Sequence, residues 1–154
     1  MSDGREFGPR TIVDGQIVIA YRYEVVILVF GVREWTVDVA ERLYEESTAL
    51  TRTNPHTLVR MAGSEPGASV RKRIADLQAE LDVRIPSKEE RRVAVINDSA
   101  LIRGAITAMR WLTGDQIRAF ASDDVMGAAS WTAGEGGNAL GVYELYHECN
   151  TFNS

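Results

Sequence analysis

Gln16-Ile17-Val18-Ile19-Ala20-Tyr21-Arg22-Tyr23-Glu24-Val25-Val26-Ile27-Leu28-Val29-Phe30-Gly31-Val32 is the stretch on which the fold turns. Its β-branched and aromatic residues are those that strands use to cover a pleated surface, and the segment around Arg22 to Glu24 divides it. Two strands are expected, over 16–23 and 24–32. The dividing segment lacks Gly or Asn, so one long bent strand is the alternative that the residues leave open. Val25 to Val32 is far short of the ~20 residues a helix needs to cross a bilayer, and it reads as a buried strand.

Working outward, Met1 to Arg10 shows no hydrophobic period and reads as a loose lead-in, with order beginning near Thr11. Downstream, Thr36 is a capping residue, and Val37, Ala40, Leu43 and Tyr44 recur at helical spacing, which predicts a helix over 36–50. Asn54-Pro55 breaks the chain before a short strand over 56–62. Val70, Ile74, Leu77 and Leu81 then form one stripe among Arg71, Lys72, Arg73, Asp76 and Glu80, the pattern of a surface helix over 68–81. A strand over 92–96 leads to the capping run Asn97-Asp98-Ser99 and a helix over 100–112 with a wide apolar arc. Residues 116–121 alternate as a final strand, and Ser122 can cap a helix over 123–131. The Gly-rich run 133–138 reads as a flexible linker, leaving the chain beyond it as a tail that folds back or docks elsewhere.

The expected order is therefore β-β-α-β-α-β-α-β-α, an α/β fold with a mixed sheet of about five strands. The domain is placed at 11–133, and 134–154 is read as linker and C-terminal tail. A chain of 154 residues can bury a sizeable core without a staple. Its 45% hydrophobic and 25% charged residues are ordinary globular proportions. With 22 acids against 17 bases, the formal charge of -5 supplies no excess positive field for a phosphate backbone, so nucleic acid is not expected as a partner. A single cysteine, Cys149, and an N-terminus without an apolar run point to the cytoplasm and to no membrane insertion.

This order of elements resembles the STAS domain, the fold of bacterial anti-sigma-factor antagonists and related regulators. Asn97-Asp98-Ser99-Ala100-Leu101-Ile102-Arg103-Gly104-Ala105-Ile106-Thr107-Ala108-Met109-Arg110-Trp111-Leu112 is similar to a segment of STAS-like proteins of deltaproteobacteria. Ile117-Arg118-Ala119-Phe120-Ala121 and Ala128-Ala129-Ser130-Trp131 are similar to the phenylalanine-bearing strand and tryptophan-ended helix that follow it there. The resemblance covers about Gln16 to Trp131. It implies a regulatory or scaffolding module that contacts other proteins. Antagonists switched by a kinase usually carry an Asp-Ser-Ser-Gly-like turn before a helix. Here the corresponding stretch is Ala62-Gly63-Ser64-Glu65-Pro66-Gly67-Ala68-Ser69, which lacks that motif and leaves Ser64 and Ser69 as candidate phosphoacceptors.

Other candidate sites carry plainer readings beside the chemical ones. The Gly63 to Gly67 loop can hold an anion at a helix start or can be a simple strand-to-helix turn. Asp98 and Ser99 suggest a nucleophile and its partner, but adjacent residues of this kind at a helix start are more often alternative caps, and only His56 and His147 could supply an imidazole base. His56, His147 and Cys149 lack paired zinc-ligand spacing, so no metal and no cofactor is expected. Arg103, Thr107, Arg110 and Trp111 form the candidate partner-binding stripe, since Trp and Arg are enriched at interface hot spots, with closure of the core as Trp111's alternative role. The expected function is non-enzymatic protein–protein interaction, self-association included. A nucleotide- or lipid-binding domain, with its ligand at the strand ends near 63–69, is the alternative.

Overall fold

The computed structural model describes residues 6–50, 56–63, 66–84, 91–99 and 116–152. Within them lie a six-stranded mixed sheet and four helices: β1 (Phe7–Ile12), β2 (Ile17–Arg22), β3 (Val25–Val32), α1 (Val37–Leu50), β4 (His56–Gly63), α2 (Ala68–Arg84), β5 (Arg92–Ile96), β6 (Gln116–Phe120), α3 (Val125–Ala133) and α4 (Ala139–Thr151). The strands lie side by side in chain order, β1 to β6. Pairing is antiparallel from β1 through β3 and parallel from β3 through β6.

The hairpin expected at 16–32 is present, with Arg22 opposite Val25 across a two-residue turn. Such turns match the twist of a β-ribbon only when both central residues adopt positive φ, and Tyr23 and Glu24 do so at 58° and 61° without the glycine or asparagine that usually serves there. A left-handed residue other than glycine costs roughly 1–2 kcal/mol. Glu24→Gly is therefore expected to raise stability by up to about 1 kcal/mol, after the greater chain entropy of glycine is offset. A higher thermal midpoint checks this, and a lower one would show that the Glu24 side chain holds the turn.

Because side chains alternate across a strand, the two faces of β2 and β3 collect different layers. Ile17, Ile19, Tyr21, Val26 and Val32 join Val39, Ala40 and Leu43 of α1 and Val70 of α2. Val18, Ala20, Val25 and Ile27, with Leu58, Ala94, Ile96 and Phe120, join α3 and α4. Thr36 caps α1, its Oγ1 accepting from the Val39 N–H at 3.1 Å. Arg73 of α2 pairs with Glu41 of α1 at 2.8 Å, and the Tyr44 hydroxyl donates to Gln78, so polar contacts tie the outer sides of the first layer together.

Three expectations are corrected. The N-terminal lead-in contains strand β1, which raises the strand count from about five to six. Phe7 packs edge-on to Tyr21 at 6.2 Å, Arg10 lies over the Phe7 ring at 4.3 Å, and Ile12 is buried. Pro9 is tolerated because β1 is the edge strand and its register shifts between Phe7 and Arg10. The fourth expected helix begins at Val125 rather than 123, with Asp124 and not Ser122 at its N-cap. Most consequentially, the segment after Gly134 lies inside the domain rather than beyond a boundary at 133, since it folds back as α4. Asn138 caps this helix by accepting from the Gly141 N–H at 2.9 Å, and Val142, Leu145, Tyr146 and Cys149 bury a stripe at helical spacing against the sheet. The core thus draws on both sides of residue 134. The helix expected over 100–112 falls outside the described residues.

Candidate functional site

In open α/β sheets the carboxyl ends of parallel strands are where ligands and partners are met. Asn97, directly after β5, organises this end. Its N–H donates to the Phe120 carbonyl of β6 at 3.0 Å, its Nδ2 donates to the Met61 carbonyl of β4 at 3.5 Å, and its Oδ1 accepts from the Ser99 N–H at 2.7 Å. One asparagine thus joins three strands and shapes the Asp98-Ser99 turn, which is the backbone-binding use that short polar side chains favour.

Arg60 of β4 and Tyr146 of α4 meet beside this turn. Arg60 Nη1 donates to the Tyr146 hydroxyl at 3.2 Å, and Tyr146 is only 1% exposed. Burial raises the Tyr146 phenol above its ordinary value. The Arg60 hydrogen bond and charge act against that rise, and the Asp98 carboxylate adds to it. The phenol therefore stays protonated at neutral pH, as a neutral partner for a partly buried guanidinium.

The nucleophile set suggested by Ser99, Asp98 and His56 is split by this geometry. His56 opens β4 beside Val25, whereas Asp98 and Ser99 follow the far end of β5, whose five residues span roughly 16 Å. His147 is exposed on α4, with its ring edge-on to Tyr143 at 4.5 Å and to Tyr146 at 5.4 Å. Burial pushes the Cys149 thiol up to about 12, so at neutral pH it is a protonated core residue and not a thiolate. Among the described residues no group of three or more His, Cys, Asp or Glu could hold a metal ion.

Of the two candidate phosphoacceptors, Ser69 is exposed in the first turn of α2, and Ser64 lies outside the described residues. The nearby cations are engaged: Arg71 Nη1 donates to the Pro66 carbonyl at 3.3 Å, and Lys72 pairs with Asp76 at 3.4 Å. Arg103, Thr107, Arg110 and Trp111 also lie outside the described residues.

A second surface went unread in the sequence. Strand β6 ends the sheet among the described residues, and on it Arg118 is exposed. The Arg118 guanidinium stands 5.6 Å from the Phe120 ring and 6.0 Å from the ring of Trp131 on α3, at cation–π range, and the two rings are 6.1 Å apart. Arg118 and Phe120, two apart on one strand, must share a face, which was the available signal. The approach of Trp131 depends on the return of α3 across the sheet, which no local pattern encodes.

No helix among the described residues is long and apolar enough to cross a membrane. Comparison of the chain with protein-family models, with curated proteins and with solved structures finds no match.

Proposed function

We propose that the chain is a non-enzymatic regulatory or scaffolding module of the STAS-like kind, acting through contact with another polypeptide or a second copy of itself. The observation that carries this reading is the Arg118–Phe120–Trp131 stack at the end of the sheet. An exposed guanidinium over two aromatic rings offers a charge-directed contact with an apolar base, the combination in which interface binding energy concentrates. Its partner places a carboxylate on Arg118 and an apolar side chain against Trp131. The resemblance at 97–112 adds Arg103, Thr107, Arg110 and Trp111 to the proposed contact residues. Phosphate on Ser69 would fall in the first turn of α2, where negative charge is favoured, so a switch there would act by adding a charged handle rather than by melting the helix.

Capture on immobilised chain tests the reading. Wild type is expected to retain a polypeptide partner, and Arg118→Ala, Arg103→Ala and Trp111→Ala are each expected to weaken retention by about thirtyfold or more, the minimum for a hot spot. The proposal fails if wild type and variants alike retain no polypeptide while a purified small molecule binds tightly. A second reading, a small anionic ligand such as a nucleotide or lipid head group, draws support from partly buried Arg60 of β4, which lies beside Ile96 at the carboxyl end of β5 and donates to the neutral Tyr146 phenol.

A further inference from the structure

At the amino ends of the parallel strands, His56 sits where three elements meet. Its own N–H donates to the Glu24 carbonyl in the β2–β3 turn at 3.1 Å. The Arg92 N–H at the start of β5 donates to His56 Nδ1 at 3.0 Å. Arg92 Nη2 lies 3.3 Å from His56 Nε2 and donates to the Thr132 carbonyl in the last turn of α3, also at 3.3 Å. The ring therefore stands between the main chain of β5 and a guanidinium that itself holds the end of α3.

Only a bare Nδ1 can accept from the Arg92 N–H, so the contacts select the neutral ring with its proton on Nε2. The approach of Nε2 to Nη2 is then between two hydrogen-bearing nitrogens, tolerable for a neutral ring and costly for a charged one. A second proton would set donor against donor at Nδ1 and place a cation 3.3 Å from a guanidinium. Among the described residues, the charged side chains on the elements around this end of the sheet include those of Glu6, which accepts from the Tyr23 N–H at 2.8 Å, Arg22, which faces Val25 across the turn, Glu24, Arg91, Arg92 and Glu135. The contact that Glu24 makes with His56 is through its carbonyl.

We propose that His56 is a proton-operated latch: the neutral imidazole holds the start of β5 and, through Arg92, the end of α3, and protonation lets that end go. The unfolded or opened chain takes up a proton that the closed contacts refuse. Stability is then full above the ordinary imidazole range near 6.5 and is lost as pH falls below it, by up to about tenfold in the unfolding constant per pH unit. Protonation of carboxylates such as Asp14, whose pKa is held below its ordinary value first by a hydrogen bond from Arg42 and then by its charge, falls at lower pH and is separable.

The chain has two histidines, which makes the test clean. Unfolding constants are measured across the imidazole range for wild type, His56→Asn, whose side chain keeps an acceptor but takes up no proton, and His147→Asn. Wild type and His147→Asn are expected to lose stability on acidification and His56→Asn to give a flat profile. A wild-type slope in His56→Asn overturns the latch. Should His56→Asn fail to fold, NMR of wild type decides. The His56 ring signal is expected to take its proton in step with loss of the native Gly134 amide signal, and protonation with that amide unchanged overturns the proposal.

Discussion

Tyr146→Ala is expected to destabilise the chain by about 3–5 kcal/mol, the usual cost of truncating a buried aromatic residue to alanine. Tyr146 is among the largest fully buried side chains, and it sits in the cluster that joins α4 to β2, β3, β4 and α3. Its removal leaves a cavity between helix and sheet and strips Arg60 of its hydroxyl partner. Tyr146→Phe separates the two effects, because it keeps the ring and deletes only the hydrogen bond, at an expected cost of about 1 kcal/mol. Denaturant unfolding of both variants is the measurement. A loss below about 1 kcal/mol for the alanine variant would mean that α4 is not part of the core.

Gly134→Ala is expected to cost about 2 kcal/mol or more, from two independent causes. Gly134 has φ 75° and ψ 178°, a backbone region populated essentially by glycine alone. A Cβ there would also lie 2.5 Å from Arg92 Nη2, pushing the guanidinium off the Thr132 carbonyl. The causes separate in an Arg92→Ala background, where the collision disappears and the backbone cost remains. Equal losses in both backgrounds would leave the collision without effect.

The sequence was legible where local pattern and tertiary use coincide. The β-branched and aromatic density of Ile17 to Val32 specified β2 and β3, and Thr36 with the spacing of Val37, Ala40, Leu43 and Tyr44 specified α1, because each signal is set by neighbours within a turn or a strand. Val37 is nonetheless exposed, and Val39 takes the buried place. Gly134, Gly136 and Gly137 misled in an instructive way. They read as a loose linker, but Gly134 and Gly136 adopt positive φ, and a Cβ at Gly137 would collide with the Ala133 carbonyl. The glycines mark a tight reversal between two helices, and the stripe Val142, Leu145, Tyr146, Cys149 after them had the spacing of a buried helix all along. Strand β1 was hidden by Gly8 and Pro9, which are acceptable only because it is an edge.

The candidate sites were less legible because their members are far apart in the chain. Arg60 and Tyr146 are separated by 86 residues, and His56 and Arg92 by 36. Asn97, read as one of three possible caps, proved to be the tie between β4, β5 and β6, a role its residue type permits but its position alone does not reveal. Separation of Ser99 from His56 likewise became visible only with the sheet order, since it follows from which strand ends face the same way.

Native mass spectrometry of the chain purified without denaturation tests the recognition reading most directly. The expected spectrum shows the bare 17.0 kDa chain together with complexes whose added mass is that of a polypeptide, a second copy included. A uniform small-molecule increment, retained at one per chain and lost in Arg60→Ala, would contradict it and establish the ligand-binding reading instead.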